Sequence, residues 1–155
     1  MAKYRYTYEI QYQEVDANRR VRLYTLENYL LNVCGRASDE QGIGIRYLYP
    51  QGLTWIITSL SLEWSYLPTH GEFITIETWI EKEAHLLSVR NFRIYLLSPD
   101  TQKPQDGVVH ESESVVPEDA VLIGQGKSVW AVLDLEKREI VNVFEQSVFQ
   151  NVADG

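Results

Sequence analysis

The chain is 155 residues long, 45% hydrophobic and 23% charged, with few glycines and prolines and a single cysteine. That balance suits one globular domain with a sizeable core and excludes a disordered chain, a collagen-like repeat and a disulfide scaffold. A formal net charge of −8 argues against nucleic acid as a bulk-electrostatic partner.

No apolar run approaches the roughly 18–20 residues that a membrane-crossing helix needs. The N-terminal residues Met1–Tyr6 have no apolar stretch of the signal-peptide kind. With Cys34 as the only cysteine, the expectation is a soluble protein of the reducing cytoplasm.

Lys3–Tyr12 is rich in tyrosine and reads as a strand, followed by a polar turn over Gln13–Arg19. A helix is expected to begin near Thr25, whose hydroxyl can cap it, with Tyr24 and Tyr29 stapled across its first turn and Glu27 favoured there by the helix dipole. Leu26, Tyr29, Leu30, Val33, Cys34 and Ala37 recur at helical spacing as one apolar stripe, and Gly42 and Gly44 end the helix. Beyond it the pattern alternates with period two. Strands are expected over Thr58–Tyr66, Phe73–Glu81, Leu86–Leu97 and Val121–Leu135, with a short one at Ile140–Val143. Ser98–Asp119, rich in acids and with three prolines, reads as an exposed loop or insertion. The whole chain, residues 1–155, is then a single domain.

One long helix among antiparallel strands is an α+β architecture. A helix with a one-sided stripe must lie across the sheet, and the sheet must curl around it, which is the hot-dog fold. The exposed sheet edge and helix side call for a partner, so a homodimer or larger homo-oligomer is expected.

The sequence has no Gly-rich phosphate loop, no HExxH and no GxSxG. His70, His85 and His110 fall in a turn, a hairpin and the long loop, with no spacing that builds a metal site, and no cofactor is expected. Cys34, on the apolar stripe, reads as a small buried hydrophobe. The group with chemical potential is Glu14-x-Asp16-x-Asn18. A carboxylate there can take a proton from water, an amide can orient that water, and helix N–H groups can polarise a carbonyl. The same residues are also ordinary turn formers. Arg19, Arg20 and Arg22 make a local basic cluster in an acidic chain, either a solvated patch or a docking point for an acidic partner.

Four stretches carry a family likeness. They are Tyr12–Asn18; Thr54–Thr58; Pro68–Glu72 with Ile74–Trp79; and Ser88–Phe92 with Ser128–Leu135 and Arg138. In these the chain resembles the acyl-ACP thioesterases, hot-dog enzymes that release fatty acids from acyl carrier protein. Members of that family are tandem double hot dogs, and this chain resembles the N-terminal half. The family's Asp-x-Asn-x-His motif belongs to the C-terminal half; laid against it, this sequence offers Asp16, Asn18 and then Arg20 in place of histidine. Arginine stays protonated and cannot exchange a proton as histidine does. Ser59 and Asn91 stand where the family often has arginine and aspartate.

The resemblance implies a hydrolase of fatty acyl thioesters, on acyl carrier protein or coenzyme A. In it Asp16 is the base, Asn18 orients water or carbonyl, and Glu27 is the fallback carboxylate. Arg20 binds the carrier or the oxyanion, and Arg19 and Arg22 dock the carrier. From the residues themselves, Trp55, close after Gly52 at a strand opening, is the candidate pocket residue, and Leu30 and Val33 are expected to line an acyl tunnel between helix and sheet. The alternative is a non-catalytic acyl-binding half whose chemistry is done by another domain. A hot-dog dehydratase would want a histidine beside an acid, and no histidine is placed for it.

Overall fold

The computed structural model describes residues 2–81, 86–101, 108–110 and 116–142. Its strands are β1 (Tyr4–Glu9), β2 (Leu53–Trp64), β3 (Phe73–Ile80), β4 (Ser88–Leu96), β5 (Val108–His110), β6 (Val121–Asp134) and β7 (Glu139–Val141); its helices are α1 (Leu23–Glu40) and α2 (Ile45–Leu48). The strands form one antiparallel sheet in the order β2-β6-β4-β3-β1-β5, with β7 on the end of β6.

Strand alternation decides what faces the helix. Register runs Tyr6–Ile76–Ile94–Gly124 in one row and Tyr4–Thr78–Phe92–Gly126–Leu62 in the next. These residues meet Leu26, Leu30, Val33, Cys34 and Ala37 of α1 in one core. Each fully buried Leu or Val there stabilises the fold by about 1.5–3 kcal/mol relative to exposure. The opposite parity faces outward. On that side the Glu77 carboxylate is 2.8 Å from Arg5, 3.8 Å from Lys3 and 4.0 Å from Arg93, and the last two cations flank the Trp79 ring.

Several boundaries differ from expectation. β1 stops at Glu9, because Tyr12–Glu14 turns into a 3-10 helix with Gln11 and Glu14 closing a capping box. α1 starts two residues early, at Leu23; Arg22 is its N-cap with no side-chain cap, Thr25 is buried within the helix, and Glu27 falls in the second turn. Tyr24 is exposed, while the Tyr29 ring packs 4.6 Å from Tyr8 and its hydroxyl donates to Glu14, so no Tyr24–Tyr29 staple forms. After Glu40 the chain reverses through Gly42, at φ +77, into α2, a helix too short to show a period.

β2 begins at Leu53, five residues before the alternation becomes clean. Within Ser98–Asp119, Val108–His110 is strand and pairs with β1, so that stretch is not simply a loop. His85 lies outside the described residues.

Two predictions follow from this core. Leu30 is 1% exposed and its neighbour Leu31 is 41% exposed. Leu30→Ala should cost about 2–5 kcal/mol in urea unfolding, and Leu31→Ala under about 1 kcal/mol. Burial also raises the Tyr6 and Tyr29 phenols, pushes Tyr8 up to about 12 and pushes the Cys34 thiol up to about 11. The folded chain therefore keeps protons that the unfolded chain, titrating near 9.0 for Cys and 10.0 for Tyr, has begun to release. Stability should be fully present below pH 9 and decline as pH rises toward 11–12, read as a falling urea midpoint.

Candidate functional site

α1 and the sheet separate at one end. A cavity of about 420 Å³ opens there between the C-terminal half of α1, the link to α2 and the concave face of the sheet. The helix contributes Leu31, Cys34, Gly35, Ser38 and Asp39, the link and α2 contribute Ile43 to Arg46, and the sheet contributes Trp55, Ile80, Ser88, Arg90 and Trp130. Gly35 and Ser38, small residues beside the apolar stripe, leave the room. Gly44 leaves room of another kind: a Cβ there would fall 1.8 Å from Asp39 Oδ1, so the Asp39 side chain would have to swing aside for any larger residue.

The two indoles are fixed. Trp55 Nε1 donates to the Ile43 carbonyl at 2.8 Å and Trp130 Nε1 to Ser128 Oγ at 2.8 Å, with the rings edge-to-face at 6.5 Å. Asp39 and Arg46, 3.7 Å apart and well exposed, stand on the solvent side. Arg90, 3% exposed, is the cation of the inner wall. It donates to Gln41 Oε1 at 2.7 Å and Thr78 Oγ1 at 3.3 Å, and desolvation lowers its pKa. Burial keeps Cys34 a neutral thiol, which makes it a wall residue and a poor nucleophile.

The Asp16 turn is built as a corner. Asp16 Oδ1 accepts the N–H groups of Asn18 (2.8 Å) and Arg20 (3.1 Å), and Arg19 adopts φ +61 to close the turn. Val21 N–H donates to the Pro68 carbonyl, which ties the turn to the connection between β2 and β3. The Arg20 guanidinium lies 5.2 Å from the Tyr66 ring centroid and donates to the Tyr66 hydroxyl and the Leu67 carbonyl. Arg22 donates to the Gln13 carbonyl. The His70 ring meets Tyr12 edge-on at 5.7 Å.

Of the residues singled out in sequence, Trp55 lines the cavity and Leu30 and Val33 do not: both are buried in the closed core, one step round the helix from Leu31 and Cys34. Asp16, Asn18 and Arg20 are exposed and precede α1, whereas its cavity-lining residues begin at Leu31, about 12 Å along the axis from Leu23. Glu27 is half-buried and not in the cavity wall. Among the described residues no three His, Cys, Asp or Glu side chains cluster as metal ligands.

Two signals were readable and missed. Leu31, Gly35 and Ser38 run at i, i+4 and i+7 along the edge of the stripe. Arg90 shares the inward parity of Phe92 and Ile94, a charge on the core face.

Residues 1–102 match the family model of the acyl-ACP thioesterase N-terminal domain. Comparison with curated proteins returns no match. Among solved structures, an acyl-ACP thioesterase from Bacteroides thetaiotaomicron is 28% identical with a TM-score of 0.71, covering 88% of this chain and 48% of its own. A 12:0-ACP thioesterase from Umbellularia californica is 15% identical with a TM-score of 0.67, over 91% of this chain and 49% of its own. A DHNA-CoA thioesterase from Staphylococcus aureus shares the fold at 15% identity and a TM-score of 0.75, over 99% of this chain and 89% of its own. The chain thus spans about half the length of the first two. Its helix wrapped by a curled antiparallel sheet is a hot-dog fold, and with two thirds of its sequence matching the N-terminal domain model the chain belongs to the acyl-ACP thioesterase family.

Proposed function

We propose that this chain serves the hydrolysis of fatty acyl thioesters, acyl-ACP foremost, as the half that holds the acyl chain. The observation that carries this reading is the cavity: largely apolar walls of Leu31, Ile45, Ile80, Trp55 and Trp130, well separated from the acidic turn. An alkyl chain gains about 0.8 kcal/mol for each CH₂ it buries there. The water-activating carboxylate then comes from a second hot-dog unit.

A second reading keeps the base in this chain. Asp16 is exposed and its carboxylate is oriented by two backbone N–H groups, an arrangement that suits a general base if a partner unit brings a thioester to it.

Thiol release and binding should be measured on acyl-ACP and acyl-CoA thioesters from C4 to C18, with wild type beside Asp16→Ala. The first reading expects saturable binding that tightens by up to about fourfold per added CH₂ until the cavity is full. It also expects negligible thiol release, unchanged in the variant. Rapid hydrolysis that collapses in Asp16→Ala would establish the second reading, and no binding at any length would remove both.

The basic cluster gives a separate prediction. Replacing Arg19, Arg20 and Arg22 together by Ala should weaken acyl-ACP binding several-fold in low salt, with the loss shrinking as salt rises and the circular dichroism spectrum unchanged. Equal acyl-ACP affinity in low salt would remove these arginines from carrier docking.

A further inference from the structure

Arg90 is a buried cation with only neutral partners. Its side chain is 3% exposed, on the inward face of β4, in register with Ile80 on one side and Ser128 on the other. The guanidinium carries five N–H donors. Two go to neutral oxygens, Gln41 Oε1 and Thr78 Oγ1. Among the described residues no carboxylate lies within 4.0 Å of it; the ion pairs join Asp39 to Arg46, Glu77 to Lys3, Arg5 and Arg93, and Glu81 to Lys127. The titratable groups that face it, Cys34, Tyr6 and Tyr4, are all held protonated by burial. The Glu40 carboxylate faces Tyr6 and Tyr4.

A guanidinium withdrawn from water without a counter-ion is costly, and structures keep such charges where an anion completes them. The space beside this one is the cavity, where Trp55, Trp130, Ile80 and Leu31 are joined by Ser38 and Ser88, and where the Asp39 carboxylate on the solvent side is already paired with Arg46.

We propose that Arg90 completes a binding site for a carboxylate on an aliphatic chain, so that the cavity takes an amphiphile with an ionised end and not a plain hydrocarbon. The inference rests on the acyl-binding reading and refines its ligand class. Two sources offer this chemistry: the head group of a free fatty acid, and the far carboxylate of a dicarboxylic acid whose other end is the thioester. Gln41 and Thr78 hold the guanidinium in place, leaving its remaining donors for a bidentate grip.

Quenching of tryptophan fluorescence, with Trp55 and Trp130 in the wall, reads occupancy. The probes are decanoate, decanol and decylamine, then decanoyl-CoA and the mono-CoA thioester of sebacic acid, each against wild type and Arg90→Gln. In wild type, decanoate should bind about 10- to 100-fold tighter than decanol, with decylamine weakest. In Arg90→Gln the advantage of decanoate over decanol should vanish.

A sebacoyl thioester bound tighter than decanoyl-CoA identifies the far carboxylate as the natural source. Equal affinity of the two thioesters, both below decanoate, identifies the free acid head. Decanoate and decanol bound equally by wild type would overturn the carboxylate site and leave the acyl-binding reading standing, a result that needs no variant to fold. Failure of every probe to bind would overturn both.

Discussion

Everything in this molecule depends on covering one stripe of α1. Leu26, Leu30, Val33, Cys34 and Ala37 are buried on one side of a helix whose other side meets solvent. A flat sheet touches a cylinder along a narrow line, so burying a stripe this wide requires the sheet to curl, and the native twist of long antiparallel strands supplies the curl. Tyr6, Tyr8, Ile74, Ile76, Phe92 and Ile94 then converge on the helix from three adjacent strands. The cavity is where this covering fails. Toward the end of α1 the edge of the stripe passes from Leu31 to Gly35 and Ser38, and helix and sheet no longer close on one another.

Much of the four stretches that carry the family likeness falls into two structural units. Tyr12–Asn18 and Pro68–Glu72 meet at the N-terminal corner of α1, through the hydrogen bond from Val21 to Pro68, the Tyr12–His70 ring contact and Arg20 stacked on Tyr66. Thr54–Thr58 and Ser128–Leu135 lie side by side on β2 and β6, where they bring Trp55 and Trp130 together at the cavity. Glu72 shows how tightly the corner is made: its Oε1 accepts both the Thr69 N–H and the Tyr66 hydroxyl.

The fold was legible in sequence because its dominant signals are periodic. The 3.6-residue stripe of α1 and the two-residue alternation of β2, β3, β4 and β6 each report a buried face directly. What periodicity could not report was local. Arg22 caps α1 through its backbone alone, and the hydroxyl that marks a helix start in sequence, on Thr25, is inside the helix. Val108–His110 becomes strand by pairing with β1, a contact about a hundred residues away in sequence that no local pattern encodes. The cavity was half legible: Trp55 was found as an aromatic at a strand opening, while Leu30 and Val33 were assigned to it because the deepest apolar residues of a stripe look like a lining. They are instead its most completely packed members, and a cavity wall belongs to the edge of a stripe, where large residues give way to small ones.

The motif turn and the cavity stand apart along α1, and their chemistry differs accordingly. At the turn, Asp16 is exposed to water, one of its carboxylate oxygens is taken up by two backbone N–H groups, and Arg20 occupies the third motif position with its charge against the Tyr66 ring. A guanidinium in that place anchors the loop and offers only donors, so it cannot take up a proton as a histidine would. At the cavity the reverse holds: the walls are largely apolar, the thiol is neutral, and the buried charge there is a cation with neutral hydrogen-bond acceptors. A site of that character suits negative charge and an apolar chain together, and the carboxylate in its lining, Asp39, stands on the solvent side against Arg46. In the reading proposed above, the cavity end of α1 holds the acyl chain, and the motif turn before its first residue is left for chemistry or carrier contact.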